Sequence, residues 1–295
     1  MQPTRARTAA EAAAVFEGLR PRLVGVAYGL LGTLPEAEDA VQDAWIRLQR
    51  TDLEAIEDLT GWLVTTTSRL ALDVLRSARH RREAYVGPWL PEPVETAPDP
   101  AEAVSLADSL SWAMLVVMET LSPAERAAFV LHDVFGLPFD ELARVLARTP
   151  AACRKLASRA RSHIAERRPR FDADPEQHRD LVEAFVQATG SGDLEGLLRL
   201  LDPEAVLVSD GGGRVSAALR PIHGADKVAR FLIGVDARYP DSVKRTTLVN
   251  GGLALVMISG GAVATVTALG IRGGRITTLD LVRNPDKFHG LNTRP

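Results

Sequence analysis

One cysteine in 295 residues, Cys153, excludes an internal disulfide and any cysteine-rich metal site. Long apolar runs are missing too. No stretch approaches the length of a membrane span, and Arg5 and Arg7 are followed by no apolar segment of a secretory signal. A cytoplasmic chain without membrane contact is therefore expected. The signature of a disordered chain is absent, because 46% of the residues are hydrophobic and the formal net charge is only -3. What remains is a folded protein of two or three domains.

Against that mildly acidic background, acids almost vanish between 144 and 170. Arg144, Arg148, Arg154, Lys155, Arg159, Arg161, Arg167, Arg168 and Arg170 face the single acid Glu166. A basic block on a non-basic chain marks a nucleic-acid surface. The local pattern is a helix-turn-helix. Phe139, Leu142, Ala143 and Leu146 form one apolar stripe at i, i+3, i+4 and i+7. The chain turns at Ala147 and Arg148, Thr149 caps the next helix, and Pro150 occupies its first position. On that second helix Cys153, Leu156, Ala157, Ala160 and Ile164 turn inward, with Cys153 as a small core residue. Arg154, Lys155, Ser158, Arg159, Arg161 and Ser162 point outward, where a recognition helix meets base edges. A solvated amphipathic helix is the plainer alternative.

Proline sets the next boundary. Pro88, Pro91, Pro93, Pro98 and Pro100 break helical character between Tyr85 and Ala101, so this segment reads as a linker. Trp89 and Leu90 within it are costly to leave in water and predict docking on a surface. A second boundary near Asp172 to Pro175 opens an α+β region. It begins with a helix carrying Leu181, Phe185 and Ala188 and a short helix around Leu197. Strands such as 253–259 and 262–269 follow, punctuated by Asn250-Gly251-Gly252, Gly260-Gly261 and Gly273-Gly274.

Two further segments lie before the linker. In the helix from Pro35 to Arg50, Ala37, Val41, Ala44, Trp45 and Leu48 form an apolar stripe. Asp39, Gln42, Asp43 and Ile46 lie opposite and are available to a partner, although acids early in a helix also suit its dipole. From Gly61 to Arg82, Leu63, Leu70 and Val74 are candidates for burial. Arg69, Arg76, Arg79, Arg81 and Arg82 are candidates for exposure beside an aromatic, a surface suited to single-stranded DNA.

In this order the segments resemble the extracytoplasmic-function sigma factors of the sigma-70 family. Glu36-Ala-Glu-Asp-Ala-Val-Gln-Asp-Ala-Trp is similar to region 2.2, and Gly61-Trp-Leu through Arg82 to regions 2.3 and 2.4. Leu121-Ser-Pro-Ala-Glu-Arg through Ile164 is similar to region 4, where Ser122 and Glu125 have capping-box spacing. Trp89-Leu90-Pro91, Asp210-Gly211-Gly212-Gly213-Arg214 and Asn284-Pro285-Asp286-Lys287-Phe288 resemble the subgroup with a SnoaL-like C-terminal extension, the ECF41 group. The resemblance implies two all-α sigma domains, a region 2 bundle and a region 4 helix-turn-helix, followed by an α+β NTF2-like cone. The limits are region 2 at 11–84, the linker at 85–104, region 4 at 105–171 and the cone at 175–295.

The partners implied are core RNA polymerase, through its β′ clamp and β flap, and promoter DNA. Asp39, Gln42, Asp43 and Ile46 would dock on the clamp. Trp62, Thr66, Arg69, Asp73, Arg76 and Arg79 would melt and hold the minus-ten element, and Thr149, Arg154, Lys155, Ser158, Arg159 and Arg161 would read the minus-thirty-five duplex. The extension would modulate this activity in cis, with Asp210 and Arg214 bracing the glycine loop on which the linker docks. A small-molecule effector in the cone is a further expectation; no cofactor or metal is expected. Two other classes stay open. An enzyme in the cone would use Asp210, His223 or Asp280 as acid or base, and a ligand-sensing repressor would need a symmetric dimer.

Overall fold

The computed structural model describes residues 8–83, 85–96, 110–167 and 175–291, with the side chains of 78–83, 167 and 175–177 set aside. The expected domain limits at 84, 104, 105 and 171 and the boundary at Asp172 fall outside these residues. So do Pro98, Pro100, Arg168 and Arg170, and the side chains of Arg79, Arg81, Arg82 and Arg167. The described chain forms two units. One holds 8–83, 110 and 114–167, and the other holds 85–96, 111–113 and 175–291.

In the first unit, a capping box between Thr8 and Glu11 opens α1 (Ala9–Leu31), and Gly32, at φ 79°, ends it. The half of α1 from Leu23 to Leu31 is buried on every side, which makes it the centre of the unit. The helices α2 (Leu34–Gln49) and α3 (Leu59–Glu83) pack on it. Later helices pack there as well, at Gly29. A Cβ at that position would meet the Leu110 side chain at 2.8 Å and that of Val130 at 3.0 Å, so any larger residue would have to push these side chains aside. Arg126, with 2% of its surface exposed, seals the contact by donating its Nε to the Gly29 carbonyl at 3.0 Å and pairing with Glu119 at 2.6 Å.

Region 4 of the resemblance corresponds to α4 (Trp112–Met118), α5 (Pro123–Ala128), α6 (Phe139–Leu146) and α7 (Pro150–Arg167). Ser122 and Glu125 form the expected capping box at the start of α5. One element was not foreseen. After α5 the chain widens into a π-helical turn, Phe129–Val134, closed by the His132 ring on the Leu137 carbonyl at 2.7 Å.

The second unit is built on a six-stranded sheet in the order β2-β1-β6-β5-β4-β3. The strands are β1 (Leu201–Asp210), β2 (Ile222–His223), β3 (Val243–Val249), β4 (Gly252–Ser259), β5 (Ala262–Arg272) and β6 (Arg275–Val282). Only β1 and β6 run parallel; the expected turns at 250–252, 260–261 and 273–274 join the antiparallel strands. The helices α8 (Pro175–Ser191), α9 (Leu194–Leu200) and α10 (Ala225–Asp236) cover one face, where Phe185, Leu197, Leu232, Leu255, Leu269, Leu279 and Leu281 form the core. This is the α+β architecture expected.

The cross-strand register defines the opposite face. Val208, Asp280 and Ala268 are aligned across β1, β6 and β5, and Arg245 and Thr247 in β3 project to the same side. Asp210 lies there too, at the end of β1.

Candidate nucleic-acid interface and linker-docking site

The helix-turn-helix is set by backbone chemistry. Ala147 takes a left-handed conformation, φ 52°, between α6 and α7, a cost the tight turn imposes on a residue with a Cβ. Thr149 then accepts the Ala152 N–H at 3.2 Å, and Pro150 opens α7. Cys153, Leu156, Ala157, Ala160 and Ile164 are buried, and burial pushes the Cys153 thiol up, as for a core residue. Arg154, Lys155, Ser158, Arg159, Arg161 and Ser162 are all exposed. Two of the cations have neighbours: Arg154 lies over the Phe139 ring at 5.4 Å, and Arg161 pairs with Asp133 of the π turn at 2.8 Å.

On α2, Asp39, Gln42 and Asp43 are exposed and Ile46 is half-buried, while Ala37, Val41, Ala44 and Leu48 face the core. On α3, Leu63 is buried, but Leu70 and Val74 are only half-buried; Val64, Ala71, Leu72 and Leu75 carry the core contact instead. Trp62 and Thr66 are half-buried beside exposed Arg69, Asp73 and Arg76. Asp73 pairs with Arg76 at 3.3 Å, and Arg69 donates to the Arg144 carbonyl at 2.7 Å.

The second unit brings the two C-terminal motifs, 210–214 and 284–288, together with the segment 85–96, which carries the third. Asp210 is the meeting point. Its buried carboxylate accepts from the Tyr85 hydroxyl at 2.5 Å, from the Leu90 N–H at 2.9 Å and from Lys287 Nζ at 2.7 Å. Lys287, also buried, donates to the Leu90 carbonyl and sits 3.1 Å from the centroid of the Trp89 ring. Asn284 donates to the Tyr85 hydroxyl at 2.9 Å, and the backbone amides of Arg283 and Asn284 both donate to the Asp210 carbonyl. Burial and the neighbouring Asp210 carboxylate push the Tyr85 hydroxyl well above its ordinary range, so it remains a donor.

The glycine run has a role in this cluster that differs in detail from expectation. At Gly212, φ 58°, a Cβ would stand 2.3 Å from Asn284 Nδ2 and 2.8 Å from the Tyr85 hydroxyl; at Gly213, φ 71°, it would press on Val86. Asp210 and Arg214 do not brace the loop as a pair. Asp210 holds the linker, and Arg214, exposed, pairs with Asp286 at 2.9 Å. Leu90 and Pro91 are buried and Trp89 is half-buried under Lys287; Pro285 is exposed and Phe288 half-buried.

The rest of the docking was not legible in the motifs. Val94 exchanges hydrogen bonds with Asn250, Glu95 forms a two-pronged pair with Arg245 at 2.7 and 3.1 Å and accepts from Thr247, and Thr96 donates to Leu248. Asn250 had been marked only as a turn residue, and Glu95 carried no signal.

The three candidate acid–base groups do not assemble. Asp210 is spent on the linker and His223 is exposed on the two-residue β2. Asp280 is recessed and accepts from Trp112 Nε1 at 2.9 Å; burial pushes its carboxyl up to about 6. Among the described residues no helix is long and apolar enough to cross a membrane.

Comparison with known proteins completes the picture. The family model Sigma-70 region 2 matches residues 15–81, and Sigma-70 region 4 matches 111–164. The chain is 43% identical to the ECF RNA polymerase sigma factor SigJ of Mycobacterium tuberculosis, over 93% of this chain and 92% of that protein. It is 37% identical to "Probable ECF RNA polymerase sigma factor SigI" of the same species, covering 94% of this chain and 95% of the relative. The crystal structure of SigJ superposes with a TM-score of 0.76 at 39% identity, covering 96% of this chain and all of that one. Neither the enzyme nor the repressor fits a likeness of this extent. The likeness spans nearly the whole chain, and the chain belongs to the extracytoplasmic-function sigma factors, non-enzymatic proteins that bind core RNA polymerase and promoter DNA to start transcription.

Proposed function

We propose that the docking of residues 85–96 on the C-terminal unit restrains this sigma factor in cis. The observation that carries the reading is the buried Asp210 carboxylate, which holds Tyr85, the Leu90 amide and Lys287 at once. Minus-ten and minus-thirty-five elements lie about 25 base pairs apart, roughly 85 Å of duplex at 3.4 Å per step. The segment 84–111 joins α3 to α4 and, fully extended, reaches at most about 95 Å. The twelve pinned residues withhold about 40 Å of that reach. Undocking is then a condition for region 2 and region 4 to read both elements together.

Within this reading the outer faces divide the labour. Asp39, Gln42, Asp43 and Ile46 dock on the β′ clamp, and region 4 is placed at the β flap. The exposed face of α7 reads the minus-thirty-five duplex, and Trp62, Thr66, Arg69, Asp73, Arg76 and Arg79 hold the minus-ten strand. Arg69 must leave the Arg144 carbonyl to do so. The site of action is the cytoplasm, where core polymerase and DNA are found.

Run-off transcription with purified core polymerase from the gene's own upstream region tests the proposal. Asp210→Asn and a chain ending before Asn284 should both raise the transcript yield severalfold over the full chain. Equal yields from all three would show that the docked segment restrains nothing.

A further inference from the structure

The π-helical turn at Phe129–Val134 is a rare piece of backbone of a kind that gathers at functional sites, and its two polar side chains both lead to arginines of α7. His132 comes first. Its Nδ1 donates to the Leu137 carbonyl at 2.7 Å, and its ring packs on that of Phe139, with centroids 3.8 Å apart and planes inclined by 31°. The Arg154 guanidinium lies over the same Phe139 ring, 5.4 Å from its centroid. Asp133, the next residue of the turn, accepts from Arg161 Nε at 2.8 Å. Arg154 and Arg161 are seven residues apart, so they share one flank of α7 and stand about 10 Å apart along its axis.

The manner of holding leaves both arginines able to bind. A cation–π contact engages the face of a guanidinium, whereas its five N–H donors lie in the plane, so the Phe139 ring occupies none of those of Arg154. The pair with Asp133 engages Arg161 through Nε and leaves the forked Nη end, the part that grips a guanine edge or a phosphate. Arginine otherwise loses much rotamer freedom when it binds. A side chain that is already oriented loses less.

We propose that the π turn positions two arginines for DNA recognition: His132 and Phe139 orient Arg154, Asp133 orients Arg161, and neither contact has to break when α7 enters the groove. Phe139, His132 and Asp133 are positioning residues and do not themselves touch DNA. The proposal rests on the reading of α7 as the helix that meets the minus-thirty-five duplex. Its opposite differs in sign. An ion pair that had to open for DNA would compete with binding, and loss of Asp133 would then tighten the complex.

Reconstituted holoenzymes titrated with a labelled duplex of the gene's own upstream region give the test, as two double-mutant cycles. Phe139→Leu should weaken binding by about two- to tenfold, the ordering cost of one long side chain, and should leave it unchanged in the Arg154→Ala background. Asp133→Asn should also weaken binding, and only while Arg161 is present. Phe139→Tyr keeps the ring face and should bind like the unaltered protein, which separates loss of the stack from damage to the fold. Equal losses from Phe139→Leu with and without Arg154 would make Phe139 a packing residue and overturn its role. Tighter binding by Asp133→Asn would make the ion pair a competitor of DNA and overturn the role given to Asp133. If Arg154→Ala and Arg161→Ala both leave the affinity unchanged, the reading of α7 itself fails, and the positioning proposal falls with it.

Discussion

Gly212 and Gly260 share a backbone conformation, φ 58° and 59°, and differ only in what surrounds them. A Cβ at Gly260 meets nothing within 4 Å, whereas one at Gly212 meets Asn284 and Tyr85. Gly260→Ala should therefore cost only the left-handed conformation, about 1 kcal/mol. Gly212→Ala should cost that and about 1–3 kcal/mol more, because the docking cluster must shift. Urea denaturation of the two variants gives the difference, and equal losses would place the cluster outside the cooperative core. Asp280 offers a second test at this scale. Its carboxyl is raised to about 6 from an ordinary 3.8, so the folded chain binds that proton more tightly than the unfolded chain does. Stability from this group is present at low pH and is lost as pH rises through the folded value, by up to about 3 kcal/mol between roughly pH 4 and 7. Asp280→Asn should remove this slope. A difference between wild type and variant that stays constant across that range would mean that the carboxyl is not desolvated.

The elements separate what sequence patterns reveal from what they conceal. The outward face of α7 was legible because helical periodicity sorts its side chains without help from any other part of the chain, and its cap residues are local chemistry. Docking was legible only where it had condensed into compact motifs. Tyr85, Glu95 and Arg245 gave no sign and Asn250 only that of a turn, since their docking partners lie about 125 to 199 residues away along the chain and no periodicity spans that gap. The strand β1 was obscured by Pro203, which is tolerated because the pairing with β6 skips from Leu201 to Val206 and that with β2 covers only Val206 and Leu207. The π turn after α5 likewise has no composition that announces it. For α7 the expectation is that Arg154→Ala or Arg159→Ala costs about 1–3 kcal/mol at a cognate minus-thirty-five element. Footprints of variant holoenzymes on shuffled elements check this, because equal loss on every sequence would mean a phosphate contact and a salt slope lower by about one unit. On α2, Asp43→Ala should weaken core polymerase binding and leave duplex binding by region 4 unchanged. Unaltered affinity for core would move the docking surface off this face.

For the whole molecule, the connection between the two sigma regions is also part of the fold of the C-terminal unit. The sigma regions themselves are drawn together: α1 and α5 share the Gly29–Arg126 contact, and α3 meets the end of α6 through Arg69. The segment 85–96 has a further consequence through its last residues. Glu95 bridges to Val249 and Thr96 bonds to Leu248, so the segment lies against the outermost strand, where Val243 and Leu248 remain exposed. Once released, that strand presents bare amides and carbonyls beside apolar side chains, the condition under which sheets recruit other sheets. Under the proposed restraint, the released form would then also be the less soluble one. Light scattering should show concentration-dependent association of Asp210→Asn, relieved by core polymerase if holoenzyme capture shelters the edge, so that the lifetime of the unbound active state is limited by clumping as well as by redocking.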